Sequence, residues 1–98
     1  MQLVYLDQAN RDIDRLYKFL INNNASLQSA DKAILAIKEG AISLLDNSEL
    51  GTDLNDGTER RELYIPFGKS NYVLRYFIEH EYKKILVLRI WHSREDRE

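Results

Sequence analysis

Arg61-Glu62-Leu63-Tyr64-Ile65-Pro66-Phe67-Gly68-Lys69-Ser70-Asn71-Tyr72-Val73-Leu74-Arg75-Tyr76, followed after a short gap by Ile85-Leu86-Val87-Leu88-Arg89-Ile90-Trp91-His92-Ser93-Arg94-Glu95, decides the fold. Leu63, Ile65 and Phe67 fall on one face of a strand, and Tyr72, Leu74, Tyr76 and Ile78 on one face of the next. Leu86, Leu88 and Ile90 do the same on a third. Gly68 to Asn71 and His80 to Lys83 supply the turn residues between them. Pro66 has no N–H to give to a ladder, so it belongs at an outer or strand-end position. A three-stranded antiparallel meander with a charged tip is expected.

Upstream, Gln2 to Leu6 reads as a short strand with Leu3 and Tyr5 on one face and Val4 and Leu6 on the other, a pattern expected of a strand covered on both sides. Asp7 is placed to cap a helix. Ala9, Ile13, Leu16, Tyr17 and Leu20 then recur at helical spacing, with Asn10, Arg11, Asp14, Arg15 and Lys18 on the outer face. Asn22 to Ser26 breaks the helix, because asparagine tolerates left-handed backbone angles. Ser26 or Ser29 caps the next one, which carries Ala30, Ala33, Ile34, Ile37, Ala41, Leu44 and Leu45 on one face. Gly40 inside that helix costs about 1 kcal/mol relative to alanine and points to close approach of a neighbouring element. Asp46 to Glu59 has no apolar period and reads as a surface loop. The fold class is α+β: an N-terminal strand, an antiparallel helical hairpin and three antiparallel strands (β-α-α-β-β-β), the helices on one face of the sheet.

With 98 residues the chain has room for a single domain spanning 1–98. It has no cysteine, hence no disulfide framework, thiol nucleophile or thiolate metal site. Two histidines, His80 and His92, lack neighbours at ligand spacing, so neither metal nor cofactor is expected. No apolar run reaches the roughly 20 residues that cross a bilayer, and Met1 to Asp7 lacks the pattern of a secretion signal. A cytoplasmic protein without membrane contact is the expectation. Fourteen basic against sixteen acidic residues give a formal charge of -2. A domain that grips phosphates usually carries a basic surplus, so the charge argues against sequence-specific binding of nucleic acid.

The order of elements, together with Ala9-x-x-Asp12-Ile13-x-x-Leu16-Tyr17-x-x-Leu20, Arg61-Glu62-Leu63, Pro66-Phe67-Gly68, Asn71 to Tyr76 and Ile90 to Glu95, resembles the RelE/ParE toxins of bacterial type II toxin-antitoxin pairs, and the ParE branch in particular. The resemblance implies a toxin that inhibits DNA gyrase by binding it, neutralised by a cognate antitoxin, with a role such as plasmid stabilisation. It also implies oligomers formed through the antitoxin complex. The antitoxin would lay a helix by the helical hairpin and add a strand to the sheet edge.

The RNA-cutting branch needs a base for the 2'-hydroxyl, an acid for the leaving oxygen and cations on the phosphate. Relatives of that kind place basic residues where this chain has Tyr64, Pro66 and Val73; Arg94 matches, and the chain ends before a tail tyrosine. The first expectation is therefore a toxin that is not an enzyme. The alternatives are a ribosome-dependent mRNA endonuclease using His92, Arg75 and Arg94, or a non-toxic homologue that only binds its antitoxin. Against the catalytic set stands a plainer reading, in which His92 ends a strand while Arg75 and Arg94 hold acidic groups such as Glu95 or Asp96. Arg75, Arg89, Trp91, His92 and Arg94 are the expected target-binding residues, since Trp and Arg are enriched where interfaces carry their energy. The other reading of Trp91 is a ring that covers the sheet with an arginine packed along it.

Overall fold

The computed structural model describes residues 1–96. In chain order it contains β1 (Gln2–Tyr5), α1 (Asp7–Asn22), α2 (Leu27–Asp46), β2 (Thr52–Asp53), β3 (Arg61–Phe67), β4 (Ser70–Glu79) and β5 (Lys84–His92). The strands form one mixed sheet in the order β1-β5-β4-β3-β2. β1 runs parallel to β5, and the other pairs are antiparallel. The α+β plan expected from the sequence holds, with one strand added. None of the helices in the described residues is long and apolar enough to cross a membrane.

Each helix begins and ends for local reasons. Leu6, and not Asp7, occupies the N-cap of α1, with no side-chain cap bond; Asp7 lies in the first turn, where its charge opposes the positive end of the helix dipole. Asn24, at φ 68°, takes the left-handed angle that turns the chain. The Ser26 hydroxyl accepts the Ser29 N–H at 3.0 Å and caps α2. Ala30, Ala33, Ile37, Ala41 and Leu44 bury one face of α2, while Leu45, expected on that stripe, is 41% exposed. A Cβ on Gly40 would stand 2.6 Å from Cδ1 of Ile65, so the missing side chain is what brings α2 down onto β3.

Three sheet details depart from the pattern reading. β1 is an edge strand, and Leu6 falls outside it, partly exposed. The stretch from Asp46 to Glu59 holds β2, two polar residues paired with Arg61 and Glu62, so it is not purely loop. On β5 the core face is Ile85, Val87 and Ile90 rather than Leu86, Leu88 and Ile90. Arg75 pairs with Arg89 and Tyr76 with Val87, which leaves Leu88 as the extra residue of a β-bulge and flips the face around it. Pro66 lies past the short reach of β2, on the open edge of β3, where a missing N–H breaks no ladder.

Candidate functional site

The two faces of the sheet do different things. Tyr72, Leu74 and Tyr76 of β4 point toward the helices with the rest of the core. Strand alternation therefore sends Val73 and Arg75 to the opposite face, where no helix of the described residues lies, together with their cross-strand partners Trp91 and Arg89 on β5 and Tyr64 and Glu62 on β3.

On that helix-free face a chain of charge runs across three strands. Both Nε and Nη2 of Arg75 donate to Oε2 of Glu62, at 3.0 and 2.8 Å. The Arg75 guanidinium lies 4.8 Å from the centre of the Trp91 ring, and that of Arg89 lies 4.9 Å from it. Arg89 in turn donates from Nε to Oδ2 of Asp12 at 2.8 Å. Each cation over the ring contributes about 0.5–2 kcal/mol, more where water is excluded. Glu62 is 5% exposed and Asp12 1%, so two buried carboxylates balance the guanidinium groups of Arg75, whose side chain is 12% exposed, and Arg89, 27% exposed. Trp91 itself is 3% exposed: the arginines and not the indole form the surface here.

Asp12 reaches this network because β1 is short. It covers β5 only from Lys84 to Val87, and α1 lies along the rest of that edge. Oδ2 of Asp12 accepts the backbone N–H of Ile90 at 2.8 Å, and Nη2 of Arg15 donates to the Ile90 carbonyl at 3.1 Å. Burial would raise the Asp12 pKa, but the Arg89 hydrogen bond, the Ile90 amide, the Arg89 charge and Gln8 outweigh it and hold the carboxyl below its ordinary value.

His92 and Arg94 belong to the other face. His92 pairs with Tyr72, and the two rings meet edge-on with centroids 5.5 Å apart. They line a cavity of about 470 Å³ at one end of the molecule. Leu16, Phe19 and Leu20 of α1 form one wall, Phe67, Ser70 and Tyr72 a second, and the tip after β5 brings His92, Arg94 and Glu95 to its rim. Nδ1 of His92 accepts the Arg94 N–H at 3.2 Å, which leaves the ring proton of the neutral imidazole on Nε2. Oε1 of Glu95 accepts the His92 N–H at 2.8 Å, and its other oxygen pairs with Arg15. Burial, then the nearby Glu95 charge, pushes the Tyr72 phenol above its usual pKa.

The residues singled out from sequence thus divide into two sets. Arg75, Arg89 and Trp91 share the helix-free face, and His92 and Arg94 share the pocket. Arg75 does not come together with His92, since they lie on opposite faces of the sheet. His80 follows the far end of β4 from the Tyr72 and His92 pair, so the two histidines are also apart. Asp12 and Glu62, which organise the helix-free face, were not marked as site residues by the sequence reading. A signal existed for Asp12: with Ala9 and Leu16 it fits the three-and-four spacing of a buried stripe, where a carboxylate demands a partner.

Residues 3–97 match the family described as ParE toxin of type II toxin-antitoxin system, parDE. Two curated relatives come from Caulobacter vibrioides. Toxin RelE3 is 37% identical over 92% of this chain and 91% of its own, and Toxin RelE1 is 32% identical over 92% and 90%. Among solved structures, the chromosomal ParDE toxin-antitoxin system from P. aeruginosa contains a chain that superposes with a TM-score of 0.76 at 22% identity, covering 94% of this chain and 95% of that one. A chain of the RelBE2 toxin-antitoxin complex from Mycobacterium tuberculosis gives 0.66 at 20% identity, covering 94% and 96%.

Proposed function

The chain belongs to the ParE toxin family of type II toxin-antitoxin systems, and from that premise we propose that it acts by binding a target protein, DNA gyrase, and is neutralised by a cognate antitoxin. The observation that carries this reading is the separation of its cations. Cleavage of RNA needs a proton-transfer group and several positive charges around one phosphate. Here Arg75 and Arg89 lie across the sheet from His92 and are engaged by Glu62 and Asp12. A formal charge of -2 supplies no general attraction for a phosphate backbone. Arg75 and Arg89 on one face, and His92 and Arg94 at the tip, are the groups we assign to contact with the target. Trp91 acts beneath the two arginines, as the platform that fixes them.

A second reading keeps the pocket as an active site. Both curated relatives carry RelE names, and Tyr72, His92 and Arg94 share one cavity. On that view the protein is a ribosome-dependent mRNA endonuclease whose basic set excludes Arg75. Two assays on the purified toxin separate the readings: DNA supercoiling by gyrase, and cleavage of message on translating ribosomes. Inhibited supercoiling with intact message is expected; cut message with unaffected supercoiling would overturn the first reading in favour of the second. Normal growth on expression without antitoxin, at a verified protein level, would identify a homologue that has lost toxicity.

A further inference from the structure

We propose that Arg15 is a positioning residue for the arginine face: by holding Glu95 at the tip after β5 it leaves the Asp12 carboxylate to Arg89, so that the state of the tip governs how Arg89 sits over Trp91 on the opposite side of the sheet. This deepens the target reading, and its consequence for toxicity rests on that reading. What carries it is an unbroken series of alternating charges around the part of the β5 edge that β1 leaves uncovered. From the tip the series runs through Glu95, Arg15, Asp12 and Arg89, and then across the Trp91 ring to Arg75 and Glu62.

Arg15 stands at the junction because its guanidinium reaches in three directions. Nη1 pairs with Oε2 of Glu95, while Nη2 donates to the Ile90 carbonyl at 3.1 Å and lies 3.4 Å from Oδ1 of Asp12. The two oxygens of Asp12 are used unequally. Oδ2 accepts Nε of Arg89 and the Ile90 N–H, both at 2.8 Å. Oδ1 is shared among Nε2 of Gln8 at 3.3 Å and Nη2 of Arg15 and of Arg89 at 3.4 Å each, all beyond the roughly 2.7–3.2 Å of a well-made N–H···O bond. It can close on one arginine only at the expense of the other, and with Asp12 1% exposed, water does not make up the difference. While Glu95 holds Nη1, Arg15 is drawn outward and Arg89 keeps the larger share of Asp12. Once Glu95 is neutralised or drawn off, Arg15 turns to Oδ1 and Arg89 loses part of the charge that anchors it beside the ring. Two arrangements of one guanidinium thus supply the switching element that coupling between separate faces requires.

A mutant cycle on the ¹⁵N-labelled full chain tests this, read at the Arg89 Nε–H and the Trp91 indole N–H. Trp91 is the one tryptophan of the sequence, so its indole gives a single resonance. Glu95→Gln keeps the length of the side chain and removes its charge. It is expected to move both resonances at least about threefold further than Lys18→Gln, which breaks another exposed ion pair of α1. With Arg15→Gln already in place, the same Glu95→Gln change should move them about threefold less than it does in the parent. Arg15 and Glu95 are 40% and 36% exposed, and a pair so open to water adds little to stability, so these variants fold. Arg15→Lys, a point charge in place of the planar fork, gives a second background in which the same attenuation is expected. A response to Glu95→Gln no larger than that to Lys18→Gln would overturn the proposal. So would a response undiminished in either Arg15 background, which is what the field of Glu95 acting directly through space produces. The spectra contain neither gyrase nor ribosome: failure here leaves the target reading standing, and failure in the supercoiling assay leaves the coupling standing.

Discussion

Asp12 accepts the backbone N–H of Ile90 at 2.8 Å, across 78 positions of sequence. A side chain thereby does at this edge what another residue of β1 would have done. The same carboxylate holds Arg89, and Arg15 closes the arrangement by donating to the Ile90 carbonyl. Asp12→Ala should leave the Ile90 N–H and Arg89 without this partner. A cost of about 3 kcal/mol is expected, the low end for breaking a buried pair because Arg89 keeps some contact with water. Urea unfolding measures it, and hydrogen exchange at the Ile90 amide should rise with it.

Acid should reveal the same carboxylate. The folded-state pKa of Asp12 is depressed, so its contribution is present above the ordinary carboxylate range and is lost as pH falls through the lower, folded value. Asp56, held at about 2 chiefly by the Thr58 hydroxyl and amide, behaves alike in direction. Stability of the parent protein is therefore expected to fall from pH 5 downward. Asp12→Asn should be less stable at pH 7 and show a flatter acid limb, so that the two curves converge; parallel curves would show that Asp12 does not titrate with unfolding.

Tyr76 fastens the connection between α2 and the sheet. Buried in the core, it donates its hydroxyl proton to the Ser48 carbonyl at 2.7 Å and accepts the Gly51 N–H at 2.9 Å. Tyr76→Phe keeps the ring and removes both bonds. A loss of about 1–3 kcal/mol is expected, since the Gly51 N–H is buried and loses its acceptor. Amide exchange across residues 48–53 should accelerate more than exchange in β5; a uniform change would mean the hydroxyl matters only to global stability.

Gly40 and Ile65 should be energetically coupled. Gly40→Ala gains up to about 1 kcal/mol of helix propensity, but its Cβ would meet the buried Ile65 side chain at 2.6 Å, and overpacking of this kind costs about 1–3 kcal/mol. A net loss is expected in the parent background. With Ile65→Ala in place the same substitution should turn neutral or favourable, a coupling of about 1 kcal/mol or more in a double-mutant cycle.

The parts of the molecule legible in sequence are those written by period. α1, α2 and the four strands β1, β3, β4 and β5 follow from apolar spacing, and the Asn24 turn and the Ser26 cap from side chains that act on their own backbone. β2 was invisible because Thr52 and Asp53 are polar and too few to show alternation. The bulge at Leu88 could not be read because every residue from Ile85 to Leu88 is apolar, and such a run looks the same in either register. For the site, the arginines, Trp91 and His92 stood out by type, but their division between two faces depended on that register. Glu62 reads as an ordinary surface acid until the fold places Arg75 against it, and the spacing that puts Asp12 on a buried stripe of α1 does not name Arg89, 77 positions away, as its partner.

That division makes the roles of Arg75 and His92 separable by experiment. Arg75→Ala should leave Glu62, 5% exposed, without the guanidinium that balances it, at a cost of about 3–5 kcal/mol. The paired change Arg75→Met with Glu62→Leu should recover most of that loss, because a buried ion pair exchanged for apolar side chains of similar volume is close to neutral. His92→Ala removes a half-exposed ring at the pocket rim and should cost about 1 kcal/mol or less. Toxicity then discriminates. If Arg75 contacts the target, the stable double variant stays non-toxic. If Arg75 serves the fold alone, the double variant regains toxicity while His92→Ala, well folded, does not. Growth inhibition scored beside thermal unfolding of the same variants distinguishes the two, and a nuclease whose step required both residues at one phosphate would have to bring together groups that the sheet holds on opposite sides.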